Sequence, residues 1–372
     1  MSAQRAPDLE GLRRAFPYPR STEGAISDLG EKISAEITQN GAIPFSDFMA
    51  RCLYDPELGY YSRPKATTVS KDGDFMTSVS VGPVFGQLLA RRIEHFWKMN
   101  GAPAEFSIFE VGAHNGSLAK DILSGLSDEL KKATRYHIIE PLENQRTHLQ
   151  NTLGDEFTIL PPPPEKPADR GFVIANEVFD ALPLPLYLFS NGQWHEATVT
   201  WDQTFDWSTR PTNFSLSGDY PEGYVTEGCP DLLSFLTPLT RCFKKGLMTF
   251  IDYGLDEPSL YHPSRTAGTL RCYRKHSMKA HPLDHPGEQD LTADINFSAV
   301  AEAATQLDLS VAPVMNQSRY LTHCAKEWLL SSTPPDASEL RQFQTLIHPS
   351  QFGNRFYAIE LLKGPIEHAF FA

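Results

Sequence analysis

The chain has 372 residues, of which 41% are hydrophobic and 21% charged, the make-up of an ordinary globular protein with material for one large domain or two modest ones. Its 33 Lys and Arg against 46 Asp and Glu leave a formal charge of −13, which repels a phosphate backbone and turns the reading from nucleic acid toward a protein or small-molecule substrate. The five cysteines show no C-x-x-C spacing and suggest neither a zinc site nor a disulfide framework, and no apolar run approaches the roughly 20 residues that cross a bilayer.

The first segment, MSAQRAPDLEGLRRAF, lacks the apolar core of a secretory signal. Asp8 and Glu10 interrupt the acid-poor composition of an organelle presequence, so the expected location is the cytoplasm, or the mitochondrial matrix for a eukaryotic chain. Residues 27 to 100 read mainly as helix: SDLGEKISAEITQN, PFSDFMARCLY and VGPVFGQLLARRIEHFWKM carry apolar residues at spacings of three and four. Between the last two lies DPELGYYSRPKATTVSKDGDFMTS, aromatic and polar without a period.

From residue 105 strands and helices alternate: FSIFEVG, a helix from Ser117, YHIIEP, a helix over ENQRTHLQNTL, FTIL, a Pro-rich loop and FVIANEVFD. That order predicts a parallel sheet covered by helices. LPLYLFSNGQWHEATVTW alternates on both sides of Asn191-Gly192, a hairpin signal. A helix over 231 to 245 then leads to the strand GLMTFIDYG. Residues 255 to 292 are polar and aperiodic and read as a lid. A helix near 297 to 307, a strand in LSVAPVM, helices through WLLSS and LRQFQTLI and a closing strand FYAIELL complete the chain, so that seven strands, the last a hairpin partner, fit a class I methyltransferase sheet better than a six-stranded dinucleotide fold.

The turn EVGAHNGSL joins a strand to a helix N-terminus, where backbone N–H groups and the helix dipole receive an adenosine-containing ligand. Glu110 ends the first strand, Gly112 and Gly116 bracket the turn, and Glu140 ends the second strand, where an acid can accept hydrogen bonds from ribose hydroxyls. His114 and Ser117 obstruct the close approach that a pyrophosphate needs, while Glu110 can hold an amine, so S-adenosylmethionine fits better than NAD. The bland alternative makes Glu110 and Glu140 solvated strand-end acids.

GAIPFSDFMARCLYDPELGYY, GDFMTS, EVGAHNGSLAKDIL, NEVFDALP, GQWHE, IDYG and GTLRCYRKH with HPLDHPGEQDLTADINF together resemble the MidA-like family of S-adenosylmethionine-dependent methyltransferases, from about residue 41 to the C-terminus. The resemblance implies a Rossmann-like class I fold with a seven-stranded mixed sheet over 101–372, insertions near 184–230 and 255–292, and a helical region over 1–100 that completes the cofactor site. It implies protein arginine methylation, with a respiratory complex subunit as the substrate of a mitochondrial member, and no membrane insertion. Carried over by motif, Gly73, Asp74, Thr77, Ser78, Glu110, Gly112, Gly116 and Glu140 are cofactor candidates, and Asn176, Glu177 and Asp180 are catalytic candidates. Helix capping is the alternative for Asp74, Thr77 and Ser78. The chain has GAHNG where the family typically has a glycine-richer turn, and TSVSVG where it has an acid.

Methyl transfer to a guanidinium asks for carboxylates that hold its fork and localise charge away from the attacking nitrogen, with no metal. Glu177 and Asp180 share a face if ANEVFDALP turns helically after the strand; the alternative leaves Asn176 and Asp180 bracing the strand exit. His262, His276, His281, Asp284 and His285 match no recurrent metal spacing and read as a solvated loop. Arg271, Tyr273, Arg274 and His276 are substrate-contact or loop-anchoring candidates. Asp252 and Tyr253 are candidates for strand-end bracing or substrate contact. Three readings stay open: an active protein methyltransferase, a weakly active or noncatalytic cofactor-binding assembly factor, and a nicotinamide enzyme.

Overall fold

The computed structural model describes residues 7–17, 26–62, 77–162, 164–274, 281–332 and 334–367. Strands in chain order are β1 (Ile43–Pro44), β2 (Phe106–Val111), β3 (Thr134–Ile139), β4 (Thr158–Leu160), β5 (Ala168–Asn176), β6 (Leu186–Ser190), β7 (Gln193–Asp202), β8 (Thr204–Pro211), β9 (Tyr224–Glu227), β10 (Phe243–Leu255), β11 (Arg271–Tyr273), β12 (Asp290–Thr292), β13 (Ile295–Asn296), β14 (Ser310–Val311), β15 (Met315–Asn316) and β16 (Phe356–Lys363).

The main sheet runs β4-β3-β2-β5-β10-β16-β14. Neighbours from β4 to β10 are parallel, and β16 enters antiparallel between β10 and β14. This is the expected seven-stranded mixed sheet; the two-residue strands β13 and β15 pair in addition with β10 and β16. Every residue of β2 is buried, as a strand covered on both faces requires. Helices Val84–Met99, Ser117–Gly125, Gln317–Leu329 and Ala337–Ile347 cover one face, and Leu232–Leu239 and Phe297–Gln306 the other. Because the parallel strands all point one way, their C-terminal ends open onto a single edge, where an α/β fold collects its ligand.

A second sheet, β1-β7-β6-β9 with β8 on β7, forms the expected β excursion. Asn191 and Gly192 both take positive φ, 53° and 73°, the two-residue turn that matches the twist of a hairpin. Helices Asp28–Asn40 and Phe45–Tyr54 pack on this sheet through Ile33, Phe45, Phe48 and Leu53, so the N-terminal region divides: its first helices cover the hairpin, and Val84–Met99 belongs to the main sheet.

Two expectations are corrected. The helix expected over 231–245 stops at Leu239, because Phe243 and Lys245 already pair with Ala168 and Arg170 of β5. The span read as a lid is partly interior: β11 pairs with β12, and His281, Leu283, Asp284, Gln289, Asp290 and Leu291 are buried. Part of its polar side chains bond within the span, as where Gln289 Nε2 donates to the carbonyls of His281 and Pro282. His281 and Asp284 are therefore not on a solvated loop; His276 lies outside the described residues.

Candidate active site

The turn after β2 follows the course that its residue types allow. Gly112, His114 and Gly116 have φ of 67°, 50° and 76°; histidine tolerates this region better than most residues. The Gly112 N–H donates to the Ile139 carbonyl at 3.1 Å and that of Gly116 to Ala113 at 2.7 Å. Asn115 Oδ1 accepts from the Ser117 N–H at the helix start, 3.0 Å away. A Cβ on Gly116 would stand 2.6 Å from Leu153 Cδ2, so close packing against helix Glu143–Leu153 requires glycine there. His114 is half-buried, and burial pushes its pKa down.

Neither strand-end acid is a solvated one. Glu110 is 1% exposed and accepts from Tyr136 Oη at 2.7 Å; burial raises its pKa to about 7 against the pull of that bond. Glu140, at the end of β3, accepts from the Leu142 N–H at 2.9 Å, and burial raises it to about 7. The N-terminal region reaches this edge directly. Gln145 Nε2 donates to the Tyr61 carbonyl at 2.7 Å and Asn144 Nδ2 to that of Ser62. Tyr54 and Tyr61 stack with centroids 5.5 Å apart. Tyr54 Oη donates to the Ala181 carbonyl at 3.0 Å and Tyr61 Oη to Asp290 Oδ1 at 2.8 Å.

Of the GDFMTS block, Gly73 and Asp74 lie outside the described residues. Thr77 and Ser80 exchange bonds, Thr77 N–H to Ser80 Oγ at 3.0 Å and Ser80 N–H to Thr77 Oγ1 at 3.2 Å, so Thr77 caps the short turn Val79–Val81. Ser78 instead turns inward: its N–H donates to Glu177 Oε1 at 3.4 Å and its Oγ to Gln317 Oε1 at 3.1 Å.

The exit of β5 differs from the helical turn expected for ANEVFDALP. Glu177 has φ 55°, a strained value for a non-glycine residue and one that recurs at functional sites. Asp252 fixes the bend that follows: Oδ2 accepts from the N–H groups of Val178, Phe179 and Asp180 at 3.0, 2.7 and 3.3 Å, and Oδ1 from that of Tyr253 at 2.8 Å. Bracing is thus the role that the geometry gives Asp252. Glu177 Oε1 takes Asn176 Nδ2 at 3.0 Å as well as Ser78. Glu177 Oε2 and Asn176 Oδ1 are buried acceptors with no hydrogen-bond partner among the described residues.

Around them gather Asp180, Asp252, Asp290 and Asp294. Burial raises Glu177 to about 8, helped by the charge of Asp180 and Asp290. Burial raises Asp180 to about 7, with Arg271 opposing and Asp294 adding to it. Burial, Asp180 and Glu177 push Asp252 up against its backbone donors. Arg271 is the guanidinium among these acids: Nη1 meets Asp294 Oδ1 at 2.7 Å, and the group lies 5.2 Å from the centroid of the Tyr253 ring. Arg274 pairs with Glu288 at 2.9 Å, the anchoring alternative for that residue. Unfilled buried acceptors beside several acids suit a ligand that brings donors and positive charge, such as ribose hydroxyls, a sulfonium or a guanidinium, and oppose a pyrophosphate.

Sequence reasoning placed Glu110, Glu140, Asn176, Glu177 and Asp180 at this one edge of the sheet. It missed the parts played by Tyr54, Tyr61, Asp290, Asp294 and Gln317. The first four stand in the blocks LYDPELGYY and EQDLTADINF, dense in aromatic and acidic residues; Gln317 has no sequence signal beyond being a polar residue at a helix start.

Residues 88–314 match a family described as S-adenosyl-L-methionine-dependent methyltransferases. The chain is 25% identical to the mitochondrial protein arginine methyltransferase NDUFAF7 homolog of Drosophila melanogaster, with 98% of this chain and 91% of that protein covered. It is 27% identical to mitochondrial protein arginine methyltransferase NDUFAF7 of Danio rerio, with 96% and 91% covered. A crystal structure from Burkholderia thailandensis bound to S-adenosyl-homocysteine superposes with a TM-score of 0.80 at 28% identity, covering 98% of this chain and 96% of that one.

Proposed function

Because the chain belongs to the S-adenosyl-L-methionine-dependent methyltransferase family, with more than half of it inside the match, we propose that it transfers the methyl group to the guanidinium of a protein arginine. The observation that carries this reading is the buried acid cluster, with Glu177 Oε2 and Asn176 Oδ1 left without donors. The full-length similarity to proteins named arginine methyltransferases supports it.

S-adenosyl-L-methionine, when bound, supplies an electrophilic methyl carbon on a positively charged sulfur. Glu140 would accept from the ribose hydroxyls, and the left-handed backbone at Gly112 and Gly116 would shape the turn around the ligand. Glu110 has Oε2 committed to Tyr136, which leaves Oε1 as the oxygen that would take an amine. Residues 1–100 serve as the region that completes this site, with Tyr61 and Ser62 bonded to helix Glu143–Leu153 and Ser78 bonded to Glu177; Gly73 and Asp74 belong to the same block. Glu177 Oε2 accepts an N–H of the arriving guanidinium, and that positive charge favours the ionised carboxylate. Asp180 adds negative charge on the same side. As the guanidinium nitrogen joins the methyl carbon and that carbon leaves sulfur, the proton which the nitrogen sheds would pass to Glu177 Oε2, a carboxylate of raised proton affinity suited to general-base work near neutral pH.

A subunit of a respiratory complex is the first substrate to try, and the cytoplasm, or the matrix in a eukaryote, the place to look; the relatives are mitochondrial proteins. No helix of the described residues is long and apolar enough to cross a membrane. The test is incubation with methyl-labelled cofactor and an extract from cells lacking the protein, followed by mass spectrometry. Label on arginine nitrogen is expected; label confined to another residue type overturns the reading.

A further inference from the structure

Gln317 stands at the first position of helix Gln317–Leu329 and is fully buried, at 0% exposure. Glutamine is seldom so enclosed, and here both ends of its amide are engaged. Oε1 accepts from Ser78 Oγ at 3.1 Å, and Nε2 donates to the Leu346 carbonyl at 3.0 Å. Leu346 lies in the neighbouring helix Ala337–Ile347. The amide therefore links the helix pair near the C-terminus to Ser78, a residue of the N-terminal region.

Ser78, held by its hydroxyl, aims its backbone N–H at Glu177 Oε1 across 3.4 Å. This is the long end of the hydrogen-bond range, where a small displacement removes the interaction. Asn176 Nδ2 supplies the second donor to the same oxygen at 3.0 Å. With Oε1 held twice, the carboxyl group of Glu177 is oriented and Oε2 is the oxygen left without a donor among the described residues.

We propose that Gln317 is a positioning residue for Glu177, acting through Ser78 to orient the carboxyl group and to stabilise its ionised form. Its meaning for turnover rests on the arginine reading; the linkage itself does not. Other groups also act on Glu177: Asp180 from the same bend, Asp290 of β12, and Asp252 and Tyr253 of β10, with Arg271 of β11 beside Asp180. All of them remain when Gln317 or Ser78 is changed, so a change in the titration of Glu177 reports the lost donor.

The experiment uses the full chain with S-adenosyl-homocysteine bound and follows the infrared carbonyl band of protonated carboxylic acids against pH. The contribution of Glu177 is identified by its disappearance in Glu177→Gln. In Gln317→Leu and Ser78→Ala the midpoint of that band should move up by about one pH unit, the scale of one weakened hydrogen bond to a charged group. A glutamine that only packs would lower stability without moving the band, so an unchanged midpoint in the folded variants overturns the proposal. If Gln317→Leu does not fold, Ser78→Ala, a smaller change, decides alone. Methyl incorporation is measured in the same preparations. A shifted midpoint together with label only on residues other than arginine would remove the arginine reading and uphold the role of Gln317.

Discussion

Strand β10 borders a single buried carboxylate and a cluster of acids that are treated in opposite ways. At Thr249 it meets Glu360, whose oxygens accept from Arg92 Nε and Nη2, each at 2.8 Å, and from Tyr320 Oη at 2.9 Å. At Asp252 it meets the cluster of Glu177, Asp180, Asp290 and Asp294, where Arg271 is shared among acids and Glu177 Oε2 has no donor among the described residues. A buried charge without full compensation is expensive. The first group is complete without any ligand and binds helix Val84–Met99 to β16; the second, on the proposed function, would be completed by the positive charge of a substrate.

The strongest way to break this comparison is to remove one member of the completed pair. Arg92→Ala should lower the free energy of unfolding by about 3–5 kcal/mol, because it strands a buried carboxylate; a loss below about 1 kcal/mol in a denaturant titration would show that the pair is not structural. In the other group, Glu177→Gln should keep the fold and the calorimetric affinity for S-adenosyl-homocysteine while lowering turnover by roughly 100-fold or more, the scale of a lost general base. Retained turnover with bound cofactor would refute the assignment of Glu177.

A finer distinction comes from pH. Glu177 is raised from 4.5 to about 8 and Asp180 from 3.8 to about 7, both chiefly by burial. Between the ordinary and the raised values the folded protein binds more protons at these groups than the unfolded chain, so their contribution to stability falls as pH rises through that window. Melting of the ligand-free protein should therefore drop between about pH 5 and 8, and Glu177→Gln should flatten the slope. An equal slope in wild type and variant would remove Glu177 from the linkage. The expected direction for turnover is opposite: kcat/KM should increase toward pH 8 as Glu177 ionises.

The smallest effect concerns the turn. His114 holds φ 50° beside the ligand edge, and His114→Gly relieves both backbone strain and crowding. The variant should fold and bind S-adenosyl-L-methionine about fivefold more tightly, corresponding to about 1 kcal/mol. Unchanged affinity would mean that the imidazole stays clear of the ligand, and weaker binding, mainly at low pH, would mean that it contacts the cofactor carboxylate.

The main sheet was legible because buried parallel strands such as FSIFEV are short apolar runs that alternate with helices. The hairpin was legible because Asn191-Gly192 has few other uses. The acids at the strand ends were legible as positions, through their places after β2, β3 and β5. Their state was not: the neutralising and bracing partners come from distant segments, Tyr61 reaching Asp290, Asp252 holding Val178 to Asp180, and Gln317 holding Ser78. Local spacing carries no record of such contacts. The same limit explains 281–292, whose polar composition suggested exposure although much of it is buried and bonded within the span, as at Leu283 and Gln289.

The most direct measurement is a structure of the protein with S-adenosyl-homocysteine and a peptide carrying the arginine identified by methyl labelling. A guanidinium nitrogen is expected within hydrogen-bond distance of Glu177 Oε2, with Asp180 on the same side and Arg271 still paired to Asp294. A guanidinium seated elsewhere while Glu177 Oε2 remains without a donor would contradict it.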